Sequence, residues 1–202
     1  MQDRPAPDAQ ISANCDRIVA QPPRLEKTLA RPVVLIGMMG SGKSQLGRKL
    51  ARALALPFSD ADTAFEQAQG CRIADFFAQH GEDAFRKQEA QVMDRLLDAE
   101  ARVIAAGGGI VATPEMRDAL RRRACAVWLT ASPETLAARC AESTARPLLN
   151  GGDPVAILRA LMEKRAAWYE ESAQFAVSTD RACGDDALNA IIAGLNAWMA
   201  AS

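Results

Sequence analysis

Apolar residues follow two rhythms along this chain. Runs that are apolar at nearly every position, "VVLIG" (33–37), "RVIAAGG" (102–108) and "AVWLTAS" (126–132), are what strands covered on both faces require. Shorter runs, "LPFSD" (56–60) and "FAVST" (175–179), complete a predicted set of five strands. Between them the spacing turns helical. Leu46, Leu50 and Leu54 recur every fourth position, and Phe85, Glu89, Val92, Met93, Leu96 and Leu97 draw a mostly apolar stripe along one long helix. Leu188, Ile191, Ile192, Leu195 and Met199 mark one face of a last helix. Thr113-Pro114-Glu115, Ser132-Pro133-Glu134 and Asp153-Pro154 each set a side-chain oxygen before a proline, the signature of a helix start. Strands alternating with helices predict an α/β fold, a five-stranded parallel sheet with helices on both faces.

The first thirty residues break both rhythms. They hold prolines and mixed charge without sustained apolar periodicity, so a mobile N-terminal tail (1–30) ahead of a single domain (31–202) is expected. With no apolar h-region and with Asp3, Asp8, Asp16 and Glu26 present, neither a secretory signal nor a transit peptide is expected. No stretch approaches the ~20 apolar residues that span a bilayer, so no membrane association is expected. Composition adds one constraint: 24 basic against 25 acidic residues give a net charge of −1, too little field to recruit nucleic acid. Any anion must be held by local groups. Cys15, Cys71, Cys125, Cys140 and Cys183 form no C-x-x-C pair, which argues against a disulfide framework or zinc site and for a cytoplasmic location.

The local group is plain. Gly37-Met38-Met39-Gly40-Ser41-Gly42-Lys43-Ser44 fits G-x-x-x-x-G-K-[ST], with a predicted strand before it and a helix after it. In such a P-loop, glycines let successive N–H groups converge on phosphate and the helix N-terminus adds its positive end. Gly40, Ser41, Gly42, Lys43, Ser44 and Gln45 are the expected ATP-binding residues. Lys43 would neutralise charge between the β- and γ-phosphates, and the Ser44 hydroxyl would ligate Mg²⁺.

The N-K-x-D and D-x-x-G segments of guanine-specific switches do not occur. Asp60 and Asp62, two apart at the end of the second predicted strand, point to the same side at the sheet edge where ligands collect. One could hold Mg²⁺ and the other orient or deprotonate an acceptor hydroxyl, although such pairs also serve turns and helix caps.

Taken in order, the P-loop, "SDADTAFEQAQG", "IADFFAQHGEDAFRKQE", "AAGGGIV", "ARPLL" and "KRAAWYE" resemble shikimate kinase from about Arg31 to Asp180. The resemblance implies a P-loop NTPase fold of the nucleoside monophosphate kinase type, with a small helical substrate segment and a mobile lid at about 141–153. It implies transfer of the γ-phosphate of ATP to the 3-hydroxyl of shikimate, with one Mg²⁺ per subunit. Residue by residue, Asp62 matches the candidate base, Asp60 and Ser44 the metal side, and Arg86 and Arg165 the carboxylate-gripping arginines. Gly107, Gly108 and Gly109 match a triglycine beside the substrate, Arg146 a catalytic lid arginine, and Arg139, more loosely, an adenine-stacking arginine. Glu89, one turn from Arg86, would fix its rotamer. Ile73, Phe77 and Phe85 would wall the carbocycle, or serve as plain core.

Other features take blander readings. Arg121-Arg122-Arg123 ends a predicted helix, where cations complement the dipole, and His80 precedes Gly81 at an expected helix stop. Gln45 and Met39 depart from the usual pattern: the first should point away from phosphate, while the second occupies a loop position that often lines the shikimate pocket. The partners expected are shikimate and ATP alone, acting on a monomer. Two rivals stay open, a related small-molecule kinase of the gluconate type and a non-catalytic nucleotide-binding relative.

Overall fold

A computed structural model of the chain describes residues 24–141, 152–180 and 184–201. Five parallel strands, β1 (Val33–Ile36), β2 (Phe58–Asp60), β3 (Val103–Ala105), β4 (Cys125–Thr130) and β5 (Phe175–Ser178), form one sheet in the order β2-β3-β1-β4-β5. Around it lie α1 (Lys43–Leu54), α2 (Ala61–Gln69), α3 (Ile73–Leu97), α4 (Pro114–Arg123), α5 (Pro133–Ala141), α6 (Pro154–Ser172) and α7 (Gly184–Ala201). Among the described residues no helix is long and apolar enough to cross a membrane.

The run of buried positions in β1 explains its place at the centre. Val34 and Ile36 join Ile104, Ala126, Met93, Leu97, Leu120 and Leu158 on one face. Val33 and Leu35 join Val103, Val127, Leu46, Leu50, Ile191 and Leu195 on the other. Alternate side chains of one strand thus feed two cores, and an uninterrupted apolar run is the only sequence that satisfies both. A third cluster, Phe65, Phe76, Phe85 and Val92, fastens α2 to α3.

Of the three helix starts read from sequence, two use their caps. Ser132 Oγ accepts from the Thr135 amide at 3.3 Å, and Asp153 Oδ1 accepts from the Val155 amide at 3.0 Å, whereas Thr113 makes no side-chain cap. Arg123 pairs with Asp94 of α3 and with Asp98, which caps that helix, at 2.7 Å each, while Arg121 and Arg122 pair with Asp118. The basic triplet is therefore ion-paired, and through Arg123 it joins α4 to α3.

The expected tail is corrected at its end, while residues 1–23 lie outside the described residues. Residues 24–30 are not a loose tail: Leu29 is buried, Glu26 N donates to Asn196 Oδ1 at 3.0 Å, and Asn196 Nδ2 donates to Arg24 O at 2.8 Å. Asn196 of α7 offers this short segment both halves of an amide pair, a partner that the segment's own composition does not reveal. Gly81 is the helix stop expected: its φ of 77° and ψ of 179° break the helical path, and a second helical segment follows directly, so α3 is two helices meeting at a kink. The expected lid, about 141 to 153, falls outside the described residues except for its ends, and Arg146 lies outside them.

Candidate active site

β1 delivers the chain into the P-loop at the centre of the sheet's C-terminal edge. Gly40 (φ 79°) and Gly42 (φ 88°) adopt left-handed backbone that a side chain would disfavour, and Gly42 caps α1. Lys43 Nζ donates to the carbonyls of Gly37 and Met38, both at 2.9 Å, so the ammonium lies across the loop. Ser41 is buried, its amide donating to Met38 O at 3.2 Å, and Gln45 is exposed.

Asp60 ends β2 and uses both carboxylate oxygens. Oδ2 accepts from Ser44 Oγ at 2.6 Å, and Oδ1 accepts from the Asp62 amide at 3.2 Å, capping α2. The capping reading of this aspartate is thus realised, and its other oxygen meets the P-loop serine. Hard oxygens from Ser44 and Asp60 suit Mg²⁺, which keeps few protein ligands and completes its shell with water and phosphate. No cluster of three or more His, Cys, Asp or Glu capable of holding a metal occurs among the described residues.

Asp62 begins α2 and keeps contact with solvent, yet protein crowds its carboxyl. Burial first, then the Asp60 carboxylate, raise its pKa above the usual aspartate value, and Lys43 opposes the rise. A Cβ built on Gly107 would meet Glu89 Oε1 at 2.9 Å and Asp62 Oδ1 at 3.0 Å, and one on Gly109 would meet Arg86 Nη1 at 2.5 Å. The triglycine after β3 is therefore packed against both carboxylates and a guanidinium.

Arg86 Nη1 donates to Glu89 Oε2 at 2.7 Å and Nη2 to Glu82 Oε1 at 3.3 Å. Its Nε is buried with no hydrogen-bond partner among the described residues. Glu89 is only 8% exposed, and burial drives its pKa up while Arg86 and Arg165 pull it down. From α6, Arg165 Nη1 donates to Gly108 O at 3.1 Å. Asp62, Glu89, Arg86 and Arg165 thus surround one stretch of glycine backbone, with Lys43 close enough to Asp62 to act on its carboxyl.

Arg139 lies on the opposite flank. Its Nη1 donates to Gly40 O (3.4 Å) and Thr179 Oγ1 (3.1 Å), and its Nη2 donates to Thr179 O at 2.6 Å. Thr179, buried at the end of β5, also lies 3.4 Å from Ser41 O and 3.1 Å from Thr130 O through Oγ1. Sequence reading overlooked Thr179, whose one legible cue is its position at the C-terminal end of a strand. It also passed over Tyr169, four residues after Arg165 and so on the same helical face. The aromatic wall divides: Phe85 is buried in core, Ile73 packs against the same cluster, and Phe77 is 42% exposed with its ring centroid 5.7 Å from that of Phe85.

Comparison with known proteins gives this geometry a family. The sequence model described as shikimate kinase matches residues 39–196. A shikimate kinase from Symbiobacterium thermophilum is 46% identical over 151 residues, covering 74% of this chain and 87% of its own. The shikimate kinase of Acinetobacter baumannii, solved in complex with shikimate, superposes with a TM-score of 0.78 at 31% identity, covering 86% of this chain and 95% of that one. A gluconokinase from Sinorhizobium meliloti reaches a TM-score of 0.58 at 22% identity, covering 85% of this chain and 95% of its own, a likeness of fold alone. The chain belongs to the shikimate kinase family.

Proposed function

We propose that this chain transfers the γ-phosphoryl group of ATP to the 3-hydroxyl of shikimate, giving shikimate 3-phosphate and ADP. The observation that carries this reading is the meeting of P-loop, acid and guanidinium groups around Gly107–Gly109. The loop amides and the N-terminus of α1 cradle the phosphates. Lys43 leaves the carbonyls of Gly37 and Met38 to bridge β- and γ-phosphate oxygens. Ser44 and Asp60 would hold Mg²⁺, which would supply charge neutralisation for the phosphates.

Asp62 takes the proton of the 3-hydroxyl as its oxygen joins phosphorus, and a raised pKa makes it a better acceptor. Arg86 and Arg165 grip the shikimate carboxylate from α3 and α6, a task that planar forks perform and ammonium groups do not. Glu89 holds the Arg86 fork from behind. Arg139 has N–H groups engaged by Gly40 and Thr179, which leaves its flat face as the way it meets adenine. Arg146, outside the described residues, takes its role over the phosphates from the family motif alone. The reading includes a monomer acting in the cytoplasm.

The test is a panel of acceptors, shikimate, gluconate and nucleoside monophosphates, offered with ATP and Mg²⁺ in an ADP-release assay. Shikimate is expected to be preferred by orders of magnitude. Preference for gluconate, or ADP release independent of any acceptor, would overturn the reading.

A further inference from the structure

One carbonyl in the triglycine is claimed twice by one helix. Gly108 O accepts from Arg165 Nη1 at 3.1 Å and from Tyr169 Oη at 2.7 Å, the two donors standing four residues apart on α6. Tyr169 is 1% exposed, and its ring stacks on Trp128 at 5.6 Å between centroids with 17° between planes. Its hydroxyl also lies 3.7 Å from Met38 Sδ, in the P-loop. A buried phenol must find an acceptor somewhere. Here the acceptor is neither a strand nor a helix carbonyl but the middle residue of the loop whose flanking glycines face Asp62, Glu89 and Arg86.

We propose that Tyr169 is a positioning residue for the acceptor substrate: its hydroxyl fixes the Gly108 carbonyl and thereby the reach of the Arg165 guanidinium. The inference rests on the reading of Arg165 as a carboxylate ligand. A carbonyl oxygen has two lone pairs. With Tyr169 on one, Arg165 contributes a single longer bond and keeps its remaining donors for the substrate. Without the phenol, Gly108 O is left to Arg165 alone, and the guanidinium is drawn onto the backbone and away from the carboxylate. The peptide plane matters as well, because in a trans peptide the C=O of Gly108 and the N–H of Gly109 point in opposite directions. Holding the carbonyl towards α6 therefore directs the Gly109 amide away from α6.

Tyr169→Phe tests this, since it removes one oxygen and keeps the stacked ring. The KM for shikimate is expected to rise about tenfold, the scale of one buried hydrogen bond, with KM for ATP within about twofold and kcat within about threefold. In an Arg165→Lys background the same change is expected to cost less than about twofold, because the shared carbonyl is already broken up. Trp128→Phe, which loosens the packing and leaves the hydroxyl in place, is expected to leave KM for shikimate unchanged. An unchanged KM for shikimate in Tyr169→Phe, equal losses for ATP and shikimate, additivity with Arg165→Lys, or reproduction of the effect by Trp128→Phe would each overturn the proposal. Failure of the parent protein to phosphorylate shikimate would overturn the functional reading itself, whereas an active parent with an indifferent Tyr169→Phe removes only Tyr169.

Discussion

A methyl group on Gly109 would lie 2.5 Å from Nη1 of Arg86, closer than any carbon and nitrogen can rest. The backbone there has φ −100° and ψ 0°, outside the left-handed region, and the atoms nearest to an added methyl all belong to the guanidinium. Gly109→Ala should displace the fork, raise KM for shikimate by about tenfold to a hundredfold, and leave calorimetric ATP affinity alone. Equal weakening of both ligands would contradict it.

Asp62→Asn is expected to lower kcat by about 10²- to 10⁴-fold, the usual share of a general base. Since the Asp62 carboxyl titrates above the ordinary aspartate value of 3.8, activity of the parent should fall as pH drops through that raised value. The acid limb of kcat/KM should then vanish in the variant's residual activity. Retention of the same limb would assign it to another group.

Glu89 carries a stability signature. Its pKa is raised above the ordinary 4.5, so between that value and the raised one the folded chain holds more protons than the unfolded chain. Stability from this group therefore falls as pH rises through the window, and stays lower above it. Glu89→Gln should flatten the urea-melt profile over that interval while raising KM for shikimate through the released Arg86. A profile identical to the parent would sink the assignment.

Ser44→Ala removes a hydroxyl that sits 2.6 Å from Asp60 Oδ2. The Mg²⁺ concentration for half-maximal turnover should rise by about tenfold or more, with KM for shikimate little changed. An unaltered Mg²⁺ titration would remove Ser44 from the metal's surroundings.

Thr179→Val withdraws the hydroxyl shared by Arg139, Thr130 and the P-loop. Loss of a buried bridge of this kind costs about 1–3 kcal/mol, and a chain of this size loses about 2–4 °C in Tm for each kcal/mol. Scanning calorimetry should show that fall. KM for ATP should rise several-fold, and a larger change for shikimate than for ATP would contradict the nucleotide-side role.

What was legible in the sequence was local. The P-loop declares itself because strand, glycine turn, lysine and helix are consecutive, and Arg86 with Glu89 because three residues make one helical turn. The strands of the sheet were legible because burial on two faces leaves an unbroken apolar run. Thr179 was not legible, since its meaning comes from Ser41 and Arg139, which only the fold brings near. Phe85 and Phe77 show the limit of periodicity: eight residues apart, they looked alike, yet Gly81 breaks the helix between them and one ring is buried while the other faces out. The docking of residues 24–30 was hidden for a similar reason, its partner Asn196 lying at the far end of the chain.

With β1 in the middle of five strands, Asp62 and Gly107–Gly109 arise on the β2–β3 wing, and Thr179 and Arg139 on the β4–β5 wing. From the β4–β5 side α6 crosses back, carrying Arg165 and Tyr169 to Gly108, so a shift of this one helix would be felt on both wings at once.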